Sequence, residues 1–123
     1  DVYQQSNIKP SKLQTRNPQP RHDVKVIGLT AERDVIYTKI NQRVDKMIEK
    51  DLLGEVSYLM TRYPADSHGF SALGYKETIE YIQGKWSEEK WRDLIKQKTR
   101  HFAKRQLTWF RRFENVEWIE VKN

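Results

Sequence analysis

Asp23 to Leu29 reads DVKVIGL, with β-branched Val24, Val26 and Ile27 between a Pro/His/Asp turn and Gly28. It is the clearest strand in a chain whose other apolar residues mostly recur at helical spacing. One strand makes no sheet. Its partner has to be the alternating VEWIEV near the carboxy terminus, another chain, or residues beyond these 123. The constraint is severe: the chain is mainly helical, and its one or two short strands expect a sheet larger than it supplies. Exposed strand edges of that kind predispose a chain to self-association.

Around the strand the pattern is helical. Thr30 is placed to cap a helix whose apolar residues fall at 36, 40, 44, 47 and 48, ending near Lys50. Asp51 and Gly54 mark a break, and Glu55 to Tyr63 carries a second short helix that Pro64 ends. PADSHGFSALG reads as loop, with Gly69 and Gly74 free to take positive φ. Tyr75 to Gln83 is helical again and Gly84 is a C-terminal stop. The first twenty-two residues, rich in Pro and Asn, read as a linker or cut edge; 23–123 reads as one domain.

Ser87 caps the longest helix, with Glu88 and Glu89 in its first turn. Trp91, Ile95, Phe102 and Trp109 fall within about 40° of one another at 100° per residue, which predicts one buried stripe. Lys96, Arg100, Lys104 and Arg111 fall on a roughly opposite face, which predicts a cationic ridge turned outward. Between Asp93 and Glu114 lie seven Lys and Arg and no acid, while the rest of the chain carries 16 basic and 17 acidic residues. The net charge of +6 therefore belongs to one segment, the footprint of a polyanion-binding surface.

Several chemistries are excluded or left without support. The chain has no cysteine, hence no disulfide, thiolate metal site or thiol nucleophile. No apolar run approaches the roughly 20 residues of a membrane span, and no charged-then-apolar leader opens the chain; it is the lack of cysteine that suits a cytoplasmic protein. There is no GxxxxGK[ST], GxGxxG or HExxH, and His22, His68 and His101 lack ligand spacing.

What remains is binding chemistry. Lys and Arg neutralise phosphates, and Gln106, Thr108 and Trp109 add hydrogen bonds and an aromatic face, the mixture that holds single-stranded RNA. A solvated helix face and a helix lying on anionic lipid are the competing readings of the ridge. For Trp109, on the apolar stripe, core packing is the default. Arg43 has Asp45 as its nearest acid, two residues away and on another face, so periodicity alone makes it a surface arginine. Arg33 and Glu32 read the same way. FSALGYKE combines glycine, an aromatic and a lysine at a helix start, which suits an anion and equally a plain turn.

Three blocks together carry a resemblance. VIGLTAERDVIYTKINQRVDKMIEKDLLGEV, ALGYKETIEYIQGK and KQKTRHFAKRQLTWFRR, in this order and spacing, resemble the carboxy-terminal portion of the bacterial tRNA dimethylallyltransferase (isopentenylpyrophosphate transferase) family. The likeness runs from about Asp23 to Ile119 and, more loosely, back to DVYQQSNIKPS. It implies an α/β, P-loop-type nucleoside-triphosphate-hydrolase-like fold with an inserted helical domain. Residues 1–22 would then be the linker or end of the inserted region, and 23–123 the carboxy-terminal part of the catalytic core. It also implies transfer of a dimethylallyl group from dimethylallyl pyrophosphate to N6 of adenine 37 of tRNA, with Mg²⁺ held by residues outside this stretch.

By the same resemblance Arg43 stabilises the departing pyrophosphate. Ser71, Ala72, Leu73, Gly74, Tyr75 and Lys76 match a tRNA-contacting segment, as do Lys104, Arg105, Gln106, Leu107, Thr108, Trp109, Phe110 and Arg111; Arg100 joins them on the ridge. The expected partners are the tRNA anticodon stem-loop and dimethylallyl pyrophosphate, with no membrane and no metal ligand in this stretch. Two departures stand out. The family's phosphate-binding loop and catalytic aspartate have no counterpart here, so the chain by itself is expected to be inactive, and a stand-alone RNA-binding module is the alternative reading. Asp51 also stands where the family usually has glycine, at the bend between two helices.

Overall fold

The structure, a computed structural model, describes residues 22–122, so the linker expected over 1–22 lies outside the described residues except for His22. The elements run β1 (Val26–Thr30), α1 (Arg33–Glu49), α2 (Leu52–Arg62), a 3-10 turn (His68–Ser71), α3 (Tyr75–Ile82), α4 (Glu88–Phe110) and β2 (Val116–Glu120). The chain is thus mainly helical with two short strands. VEWIEV is the partner β1 needed: β1 and β2 pair in parallel, with Val26 opposite Val116 and Thr30 opposite Glu120. A parallel pair requires a long crossover, and here all four helices provide it.

Register explains two local features. A Cβ on Gly28 would stand 2.7 Å from the Trp118 ring and 2.9 Å from the Val116 side chain, so glycine makes room for the indole across the ladder. Thr30 is not the helix cap that its residue type suggests. The ladder claims it instead, because its carbonyl accepts the Val121 N–H at 2.7 Å. The N-cap of α1 is Glu32, which makes no side-chain capping bond.

The α1–α2 bend turns on Asp51, whose φ of 72° is left-handed. A non-glycine residue holds that conformation at a cost, and the Asp51 carboxylate offsets it by accepting the Gly54 N–H at 3.0 Å. This bond starts α2 at Leu52, three residues earlier than the apolar spacing indicated.

Val44 of α1, Leu52 and Val56 of α2, Phe70, Ile79 of α3 and Trp91 and Ile95 of α4 form the core. The Trp91 indole stacks on Tyr81 at 4.5 Å between centroids. Its buried N–H donates to Thr78 Oγ1 at 3.0 Å, and that hydroxyl donates to the Gly74 carbonyl at 2.6 Å. Each buried polar group along this path is thereby satisfied.

The expectation of one buried aromatic stripe holds for only part of α4. Trp91 and Ile95 are 2% and 1% exposed, whereas Phe102 and Trp109 are 46% and 56% exposed. Length is the reason. The 23 residues of α4 extend about 34 Å, against about 16 Å for α2 and 12 Å for α3. Beyond Ile95 the stripe outruns the short helices that cover it. The outward cationic ridge needs the matching correction, because α1 lies along it. Lys96 reaches Asp45 at 2.8 Å, and Arg100 donates to Asn41 at 2.9 Å with its guanidinium 5.8 Å from the Tyr37 ring. Among the described residues no helix is long and apolar enough to cross a membrane.

Candidate nucleic-acid interface

The carboxy-terminal half of α4 is where cations and aromatic rings reach solvent together. Lys104, Arg105, Thr108, Trp109 and Arg112 line one shallow surface with no acid among them. Arg112 lies 5.2 Å from the Trp109 ring and Arg105 lies 5.9 Å from that of Phe102. Phe113 meets Trp109 edge to face at 6.3 Å. The partly exposed indole thus has positive charge beside its flat apolar ring, the pairing that suits a nucleobase with its phosphate. Gln106 and Phe110 are exposed as well, Leu107 is half-buried, and the Thr108 hydroxyl donates to the Lys104 carbonyl at 3.0 Å. Core packing, the default for Trp109, is therefore not its role.

The Ser71–Lys76 segment enters α3 through Gly74, whose φ of 93° an L side chain rarely adopts. Ser71 donates to the His68 carbonyl at 2.7 Å, while Ala72, Leu73 and Lys76 are exposed. The Gly74 N–H donates to Glu77 Oε2 at 2.8 Å, and Glu77 Oε1 meets Lys98 Nζ of α4 at 2.9 Å. Glu77 is 3% exposed. Burial alone pushes its carboxyl up, but the Lys98 ammonium and the backbone N–H groups of Glu77 and Gly74 outweigh it and hold the group below its ordinary value. The loop is thus tied to α4 through a buried carboxylate. Burial, and then the Glu55 carboxylate, push the Tyr75 hydroxyl up, so it stays protonated.

Arg43 stands on a different surface. Lys39, Gln42, Arg43, Lys46, Met47 and Lys50 line a shallow depression along α1, four cations without an acid. Asp45 does face elsewhere, toward Lys96 and, at 4.0 Å, Arg92. A Cβ on Gly74 would lie 3.9 Å from Met47 Cε, which puts the Ser71–Lys76 loop beside the Arg43 stripe. Arg100 is set apart from the other ridge residues, since Asn41 and Tyr37 already hold it.

A further cleft, of about 150 Å³, opens between the start of α1 and the end of α4. Ala31, Arg33, Ile36, Tyr37, Ala103, Lys104, Leu107, Thr108 and Arg111 line it. Periodicity made Arg33 a plain surface arginine, and no local pattern marks it otherwise, because its neighbours in the cleft come from a helix some seventy residues later. Sequence reading passed over Glu77, although an acid three residues past a helix-opening glycine is capping spacing. Among the described residues no three His, Cys, Asp or Glu side chains gather to hold a metal ion.

Comparison with known proteins places the chain in a family. The family model for IPP transferase matches residues 1–113. The tRNA dimethylallyltransferase of Alkaliphilus oremlandii is 43% identical over 125 residues, covering 100% of this chain and 40% of that protein. That of Thermosipho africanus is 40% identical, covering 98% of this chain and 40% of its own length. The crystal structure of full-length tRNA isopentenylpyrophosphate transferase from Bacillus halodurans superposes with a TM-score of 0.77 at 44% identity, over 81% of this chain and 33% of that one. The Staphylococcus epidermidis tRNA delta(2)-isopentenylpyrophosphate transferase gives 0.76 at 39% identity, with the same coverage. The chain spans about 40% of the length of these curated relatives. It belongs to the IPP transferase family.

Proposed function

We propose that this chain is the tRNA-holding part of a dimethylallyltransferase, acting in the cytoplasm on adenine 37 beside the anticodon. The correspondence to tRNA dimethylallyltransferases over the whole chain carries the reading. In the reaction, adenine N6 forms a bond to C1 of the dimethylallyl group. The C1–O bond to diphosphate breaks with its electron pair going to oxygen, and an N6 proton passes to a base. The loop Ser71–Lys76 and the segment Lys104–Arg111, with Arg100 behind it, grip the anticodon stem-loop. Arg43, in its acid-free stripe, stabilises the charge that builds on the diphosphate oxygens.

The remaining parts of the proposal concern what these residues join. β1 and β2 form part of the sheet of a P-loop-type α/β core, with 23–123 its carboxy-terminal part and 1–22 the link to an inserted helical domain. Mg²⁺, which would neutralise the departing diphosphate, is on this reading held by residues outside this stretch. These 123 residues contain no GxxxxGK[ST] loop, and by themselves they bind RNA without transferring the group.

Two experiments test this. In a polypeptide joining this sequence to a phosphate-loop half, Arg43→Ala is expected to lower turnover far more than tRNA affinity; an equal loss in both contradicts the role. In the 123-residue chain, Lys104→Ala with Arg111→Ala is expected to weaken anticodon stem-loop binding and flatten its salt dependence. Unchanged affinity and slope count against the interface. A stand-alone RNA-binding module, the second reading, is favoured by the gathering of the exposed cations and rings on one half of α4. It predicts binding that is unaffected by dimethylallyl pyrophosphate and by Arg43→Ala.

A further inference from the structure

Arg33 opens α1, where the aligned peptide dipoles make a cation unfavourable. The first N–H groups of that helix have no intrahelical partner, and its N-cap makes no side-chain bond. Across the cleft stand Lys104 and Arg111 of the last turns of α4. Three cations and a positive helix end thus converge on about 150 Å³, and among the described residues none of the three makes an ion pair. Glu32 and Asp34 flank Arg33 in sequence but do not line the cleft. Arg111 at the carboxy-terminal end of α4 is favourable there, so the dipole accounts for it. It does not account for Arg33. An oxyanion is the ligand these charges suit, and Tyr37 and Thr108 give the cleft a polar wall.

We infer that Arg33, Lys104 and Arg111 together clasp one backbone phosphate of an RNA strand, Arg33 being a binding residue from α1 that joins the α4 surface. The inference rests on the tRNA reading of that surface and extends it to a second helix. A phosphate group reaches such a site from nucleic acid or from the diphosphate of the prenyl donor, and position separates the two. Arg33 precedes Arg43 by ten residues, about 15 Å along the axis, so one diphosphate does not meet both. The Arg43 stripe holds the diphosphate under the proposed function, which leaves the cleft for the phosphodiester. Arg33 thereby fixes the spacing of α1 and α4 against the strand, so that the RNA itself closes the cleft.

The test uses the 123-residue chain and a synthetic anticodon stem-loop, titrated from low to moderate salt. Arg33→Gln is expected to weaken binding about tenfold, the scale of one charge-assisted hydrogen bond, and to lower the salt slope by about one. Arg33→Lys is expected to retain most of the slope, and thermal melting checks that both variants fold. One methylphosphonate at the clasped position of the RNA reproduces the loss in the wild-type chain and adds nothing in Arg33→Gln. If Arg33→Gln binds like wild type while Lys104→Ala with Arg111→Ala does not, the cleft inference is overturned and the tRNA reading survives. If no variant changes binding, both are overturned. If inorganic diphosphate competes away only the Arg33-dependent part of the affinity, the cleft holds a diphosphate and the phosphodiester assignment is wrong.

Discussion

The two halves of α4 share one helix, one apolar stripe and one cationic stripe, yet do opposite things. From Glu88 to Thr99 the stripe is buried, with Trp91 stacked on Tyr81 and Lys96 paired to Asp45. From His101 to Phe110 no side chain is buried, and the same periodicity presents Phe102, Trp109 and their neighbouring guanidinium groups to solvent. Helical spacing decides which residues share a face. Whether neighbouring helices pack over that face decides whether it is core or solvent-exposed. Where the apolar stripe of α4 runs past the helices that bury it, its rings stay exposed on an already ordered helix, at little ordering cost when a ligand arrives.

The largest effect expected from this contrast is on stability. Trp91→Ala should cost about 3–5 kcal/mol in denaturant unfolding, the range for large core aromatics, whereas Trp109→Ala should cost little. Trp109→Ala should instead weaken stem-loop binding by about 1–3 kcal/mol, the scale of one lost base stack. Comparable destabilisation by the two would break the contrast.

Next in size is the strut between loop and helix. Glu77→Gln should destabilise by about 1–3 kcal/mol at neutral pH, since it removes the carboxylate that Lys98 and the Gly74 N–H share. The sign with pH follows from the lowered folded-state value. The ionised carboxylate stabilises the fold at pH above the ordinary 4.5, and that contribution is lost as pH falls through the lower folded value. The gap between wild type and Glu77→Gln in urea unfolding should therefore narrow on acidification; a gap constant with pH contradicts the strut.

Smaller still is Asp45→Asn. It frees Lys96 and should cost about 0.5 kcal/mol, as partly exposed pairs do, while steepening the salt dependence of RNA binding. Smallest is Asp51→Gly, where relief of the positive φ and loss of the bond to Gly54 oppose each other. The net change in unfolding free energy should stay within about 0.5 kcal/mol.

Much of this molecule could be read before its structure. Ser87 accepts the Lys90 N–H at 3.2 Å as an N-cap should, Gly84 takes a φ of 82° at its stop, and VEWIEV pairs with the lone strand. These features are local, or depend on a pattern with one sensible partner. What escaped was set by distant neighbours. Thr30 looks like a cap until Val121 claims its carbonyl, and Lys96 and Arg100 look like solvated cations until α1 supplies Asp45 and Asn41. Arg33 gains its interest only from Lys104 and Arg111 across the cleft. The Arg43 stripe was legible in principle, because Lys39, Lys46 and Lys50 recur around Arg43 at three- and four-residue steps on one helix.

The most direct measurement is an NMR titration of the isotope-labelled chain with an anticodon stem-loop. The predicted result is that shifts concentrate on Ser71–Lys76, on Lys104–Arg111 and on the Trp109 indole N–H, while the Trp91 indole N–H, bonded to Thr78, stays still. Shifts confined to β1, β2 or the first three turns of α4 would contradict the claim that the carboxy-terminal half of α4 is the surface that meets RNA.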